Sequence, residues 1–175
     1  MLEELMRKAL GLVTSEEAES SYSESESKSE AIRQAIALFS KETQGTCFDL
    51  GSEVYSKRLL KERFDNVYGY NLKDGDMHNY IPAGKSPAIF ARHVLEHSPF
   101  PLYMLCLLRE ALKGEMVVVV PKPETEWVLN HPAHVSVLPK EQWEKLFKLS
   151  GFEIKKCIEG TWTKEGHVEY RYLLV

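Results

Sequence analysis

The stretch Glu115-Met116-Val117-Val118-Val119-Val120 decides the fold. Its last four residues are consecutive valines, with no polar residue alternating among them. A strand with one wet face would alternate, so this one is buried on both faces. That is the habit of a central strand in a parallel sheet covered by helices on either side. Pro121 and Pro123 end it, because proline cannot donate to the ladder. Just upstream, Leu102 to Leu112 is an apolar helix, and Lys113-Gly114 closes it as a C-cap.

Outward from this strand the pattern repeats. Thr46–Leu50 (TCFDL) reads as a strand running into an Asp-Leu-Gly turn. Glu53–Arg63 reads as a helix with Val54, Leu59 and Leu60 on its buried side. Asn66–Leu72 and Pro87–Ala91 are further strands, separated by a loop rich in glycine and proline. Pro139–Ser150 is helical, with Trp143, Leu146 and Phe147 inward and Gly151 as its stop. Phe152–Trp162 and His167–Val175 form an antiparallel hairpin about a turn at 163–166. Alternating strand and helix followed by a hairpin predict an α/β fold. It is a Rossmann-like three-layer αβα sandwich with a mainly parallel sheet. Ligands of such sheets bind beyond the carboxyl ends of the strands, at the switch point. The segments there are 49–51, 71–76, 92–97 and 121–134.

The N-terminal part differs. Leu2, Leu5, Met6, Ala9 and Leu10 have helical spacing, Thr14–Glu30 is dominated by serine and glutamate, and Ala31–Phe39 is helical again. The expected division is an extension over 1–45, serving as a lid or a homodimer surface, and an α/β domain over 46–175. The acidic run reads first as a solvated linker.

Bulk properties set the function class. Across 175 residues the chain is 43% hydrophobic and 27% charged, with a formal net charge of −4. No basic stripe of the kind that grips phosphates is visible, so nucleic acid is not an expected partner. No apolar run approaches the roughly 20 residues of a bilayer span, so no membrane is expected either. Glu3, Glu4, Arg7 and Lys8 break up the first ten residues, unlike a secretory leader. A cytoplasmic protein is expected, with Cys47, Cys106 and Cys157 as reduced core residues.

Several motifs in fixed order carry a resemblance. They are Asp76-Met77-His78-Asn79, then Ile89-Phe90-Ala91-Arg92-His93-Val94-Leu95-Glu96-His97, then Ala111-Leu112-Lys113-Gly114-Glu115 before the valine strand. His134-Val135-Ser136-Val137-Leu138 and Gly151-Phe152 follow. Together they resemble small class I S-adenosylmethionine-dependent methyltransferases of the type 11-like kind, over roughly 46–175. The resemblance implies S-adenosylmethionine as cofactor. Asp49 would hold a water or the cofactor ammonium, and Gly51 would let the backbone approach closely. Asn71 would stand where the family carries an acid for the ribose hydroxyls. Asp76 would accept from the adenine amine, Met77 would cover the ring, and Arg92 would complete the cofactor set. The first turn keeps only Gly51 of the family's two or three glycines.

The resemblance also implies direct displacement of the methyl group, with His93 or His134 as base for a hydroxyl acceptor. His131 is a weaker candidate on the same loop. Trp127 and Tyr103 are either pocket walls or packing. The expected acceptor is a small molecule or a sugar, and no metal is needed. Two rival readings exist. The single glycine of the first turn suits a catalytically weak or inactive binding module. His93-Val94-Leu95-Glu96-His97 also fits the H-x-x-E-H pattern of zinc hydrolases, but the prolines that follow leave no long helix to carry it.

Overall fold

The computed structural model describes residues 26–71, 85–162 and 166–175, apart from the side chain of Trp127. The helix expected at Leu2–Leu10, the acidic run up to residue 25, Asp76, Met77 and residues 163–165 of the hairpin turn lie outside the described residues.

The described helices are α1 (Glu26–Ile36), α2 (Val54–Leu60), α3 (Pro101–Ala111), α4 (Glu126–Asn130) and α5 (Lys140–Leu149). The strands are β1 (Thr46–Leu50), β2 (Asn66–Tyr70), β3 (Ser86–Arg92), β4 (Leu112–Pro121), β5 (Ile154–Thr161) and β6 (Val168–Leu174). They form one six-stranded sheet in the order β2-β1-β3-β4-β6-β5. β2, β1, β3 and β4 run parallel, while β6 lies antiparallel to β4 and β5 antiparallel to β6. The mainly parallel sheet and C-terminal hairpin are as expected.

Valines of β4 divide between two cores, as a pleat requires. Met116, Val118 and Val120 face α3 and α5, together with Trp143 and Phe147. Val117 and Val119 face the other way, onto Ile32 and Ala35 of α1 and Leu59 and Leu60 of α2. These five residues, Met116 to Val120, are fully buried. The sheet thus has helices on both faces, which makes the three layers.

Some local readings change. β4 begins at Leu112, so Lys113-Gly114 lies within the strand and does not cap α3. The β3–β4 register shifts between Ser86 and Ala88, opposite Gly114, where a Cβ would stand 2.4 Å from the Pro87 carbonyl oxygen. Glycine is there for close approach of two backbones at an irregularity. Val54 is 89% exposed because it opens α2 and points away from the sheet. Cys106 is exposed and Cys157 half-buried, so only Cys47 belongs fully to the core. Gly151, in contrast, does stop its helix. It has φ +85°, and Phe152 N–H donates to Phe147 O while Gly151 N–H donates to Lys148 O. That pair of bonds is the Schellman pattern.

Candidate active site

The sheet order changes direction between β1 and β3, since β2 lies outside β1 and β4 beyond β3. At the carboxyl ends of these two strands is a cavity of about 80 Å³. Asp49, Gly51, Glu53 and Ser56 form one wall, Arg92, His93 and Trp162 another, and His97, His131 and His134 a third.

The first wall comes from the β1–α2 turn. Gly51 has φ +78°, a left-handed conformation that favours glycine. A Cβ there would also stand 2.2 Å from Val94 Cγ2. The Gly51 and Ser52 N–H groups both donate to Tyr70 O at 2.8 Å, tying the turn to the end of β2. Asn71 braces it further, its Nδ2 donating to Ser52 O at 2.7 Å. Asp49 is buried, and Ser56 Oγ donates to its Oδ2 at 2.9 Å. Burial pushes the Asp49 carboxyl up to about 7, against the opposing pull of the Ser52 and Ser56 hydroxyls.

The second wall follows β3. His93 is the one non-glycine residue with positive φ among the described residues, at 52°. Its Nε2 lies 2.9 Å from Glu169 Oε2, and its Nδ1 lies 3.3 Å from Glu96 Oε1. Burial and the Arg92 charge push the imidazole down, but its contacts to Glu169 and Glu96 outweigh them and leave it above its ordinary value. Glu169 is buried; burial drives its carboxyl up, but Arg92, His93 and Arg171 bring it down to about 2. Arg171 Nε donates to Glu169 Oε1 at 2.7 Å. Arg92 sits above Trp162, its Cζ 5.5 Å from the ring centroid, with Nη2 3.7 Å from Glu169 Oε2. Its Nε and Nη2 are buried and make no hydrogen bond.

The third wall is a loop pinned onto a 3-10 turn at Leu95–His97. Val135 and Ser136 N–H both donate to Glu96 O, at 3.0 and 2.9 Å. Ser136 Oγ donates to Ser98 O at 2.7 Å. His97 Nδ1 is 2.9 Å from Ala133 O, and His134 Nδ1 is 2.7 Å from Val128 O. A carbonyl only accepts, so both rings carry their proton on Nδ1 and their lone pair on Nε2. Burial holds the His134 and His131 imidazoles below their ordinary values.

Five of the expected site residues, Asp49, Gly51, Arg92, His93 and His134, therefore line one cavity, and Asn71 supports its floor. Glu169 and Trp162 were not foreseen. The available signal was Glu169 and Arg171 two apart on a strand, opposite charges on one face among apolar neighbours.

No protein-family model matches the chain, and no curated protein matches it by sequence. Solved structures do match by fold. Magnesium protoporphyrin IX methyltransferase from Synechocystis, with bound S-adenosylhomocysteine, superposes with a TM-score of 0.71 at 14% identity, covering 99% of each chain. A Burkholderia thailandensis 1,6-didemethyltoxoflavin-N1-methyltransferase, with its substrate and S-adenosylhomocysteine bound, gives 0.64 at 11% identity over 82% of this chain and 77% of that one. A SAM-dependent methyltransferase from Archaeoglobus fulgidus gives 0.63 at 16% identity over 83% and 91%. The chain has the class I methyltransferase fold. Among the described residues no helix is long and apolar enough to cross a membrane.

Proposed function

We propose that the chain is an S-adenosylmethionine-dependent methyltransferase acting on a small molecule or a sugar. The observation that carries this is the cavity at the β1–β3 switch point, where a buried carboxyl and two buried guanidinium donors without hydrogen bonds line one space. The methionine end of the cofactor presents an ammonium and a carboxylate, for which Asp49 and Arg92 are the matching partners. At about 80 Å³ the cavity takes that polar end, whereas whole-ligand pockets run from roughly 300 Å³. Asn71 stands beyond it, with Asp76 and Met77 proposed for the adenosyl half.

When bound, the cofactor supplies an already electrophilic methyl group, so the protein's work is placement and exclusion of water. The His97 and His134 side chains form the acceptor wall. Either Nε2 lone pair can take the proton that a hydroxyl acceptor sheds. His93 Nε2 is hydrogen-bonded to Glu169, and its Nδ1 faces Glu96 across 3.3 Å. With Nε2 taken by Glu169, the base role passes to the His97–His134 side. Within the expected extension 1–45, α1 packs into the core beneath the sheet, and residues 1–25 are proposed as the acceptor-selecting lid or a dimer surface.

Calorimetric titration with S-adenosylhomocysteine tests the reading. Binding is expected in the wild type, at least tenfold weaker in Arg92→Ala and little changed in His134→Ala. Absence of heat at millimolar ligand would favour a non-catalytic module with this fold.

A further inference from the structure

We infer that Glu96, His97 and His134 form a site for one divalent transition-metal ion of the zinc type, open on one side toward the cavity. The carboxylate and the two imidazoles offer ligand atoms that all lie within 4.8 Å of one another. Tetrahedral zinc, with bonds near 2.1 Å, sets its ligands about 3.4 Å apart.

Two features separate this cluster from a chance grouping. Both Nδ1–H groups are given to backbone carbonyls, of Ala133 and Val128, which presents Nε2 as the ligand atom in each ring. That outer-layer bond is the usual companion of a metal-bound histidine. Glu96 is completely buried, and neither of its oxygens accepts a hydrogen bond, although Oε1 lies 3.3 Å from His93 Nδ1. A buried carboxylate short of hydrogen bonds is costly unless something charged meets it. The Val135 and Ser136 bonds to Glu96 O hold the loop and the turn in register, so the ligands are pre-positioned. The set differs from H-x-x-E-H, which would pair His97 with His93; His93 Nε2 is held by Glu169.

Three protein ligands leave a coordination position for an oxygen from the cavity. The functional consequence rests on the methyl-transfer reading: with the ion bound, both Nε2 lone pairs would be committed to it, and an acceptor hydroxyl on the open position would shed its proton to solvent more readily, taking the place of the histidine base.

The full chain, free of any histidine tag and stripped with a chelator, is titrated with cobalt(II) as a spectroscopic probe and then zinc. One cobalt per chain is expected, with the intense visible bands of four- or five-coordination, displaced by one zinc. His97→Ala and Glu96→Gln should each weaken binding at least tenfold. X-ray absorption of the zinc-loaded wild type should show two imidazoles, a readout that needs no variant to fold. Absence of a one-to-one complex, fewer than two imidazoles, or unchanged affinity in both variants would overturn the site. S-adenosylhomocysteine is titrated into the same metal-free sample. Its binding without metal binding sinks this site alone, and metal binding without it sinks only the methyl-transfer reading.

Discussion

Asp49 carries a conflict between function and stability. Its carboxyl ordinarily titrates at 3.8 and in the fold at about 7. The folded state therefore binds that proton more tightly than the unfolded chain does. Stability from this group is greatest in acid, falls as pH rises from about 4 to about 7, and is then flat. The full penalty is roughly 4 kcal/mol at alkaline pH. Ser52, Ser56, Glu53 and Lys57 act on the carboxyl from its own wall, and Arg92 and His93 line the same cavity opposite. Asp49→Asn should thus resist urea better than the wild type at pH 8, with less than half that gain at pH 5. It should also bind S-adenosylhomocysteine more weakly. Equal gains at both pH values would show that the carboxyl titrates normally. Gly51→Ala meets both a left-handed backbone and Val94 Cγ2, and should cost about 2–4 kcal/mol in urea unfolding. Loss of less than half a kcal/mol would mean that the turn relaxes freely. These residues were legible because strand ends and turns are local. Glu169 was not, since it reaches His93 only after the hairpin has folded back across 76 residues of chain.

At the scale of elements, what could be read was periodicity, and what could not was pairing. The valine run announced a doubly buried strand, but nothing in it says that one neighbour is parallel and the other antiparallel. Lys113-Gly114 and Ser150-Gly151 look alike as helix ends, yet only the second has the left-handed glycine. The first is shaped by a register shift against β3, a contact invisible until the strands meet. β6 shows the same limit. Arg171 is fully buried on it and joins Glu169, Thr161 O of β5 and Gln34 of α1, with Nη1 to Gln34 Oε1 at 2.7 Å. One side chain thus ties hairpin, central sheet and N-terminal helix together. Arg171→Met keeps the stem but strips Glu169 of a partner. The expected loss is about 3–5 kcal/mol, read as a lower urea midpoint. Amide exchange should rise in both α1 and β5. Faster exchange in β5 alone would show that Gln34 does not anchor the helix.

Over the whole molecule, a single sheet separates two cores, and this governs how the protein should come apart. Phe48, Leu50, Ile89 and Val118 belong to the core under α3 and α5, while Cys47, Phe90, Val117 and Val119 belong to the core under α1 and α2. Adjacent residues of the same strands feed opposite cores, so neither core can melt without withdrawing strands from the other. The candidate site sits where the strand ends of both layers converge, and its three walls hold their places only while the sheet does. Unfolding should therefore be a single transition despite the two cores. Val118→Ala removes buried methyls from one face and Val119→Ala from the other, each costing about 2–3 kcal/mol. Trp143 lies in the first core, so its near-ultraviolet signal reports that side, whereas far-ultraviolet dichroism reports the whole fold. In both variants the two signals should lose their midpoints together and by the same amount. If Val119→Ala shifted the far-ultraviolet midpoint and left the near-ultraviolet one in place, the two faces would be independent units. The sheet would then be a shared wall, not a coupling between them.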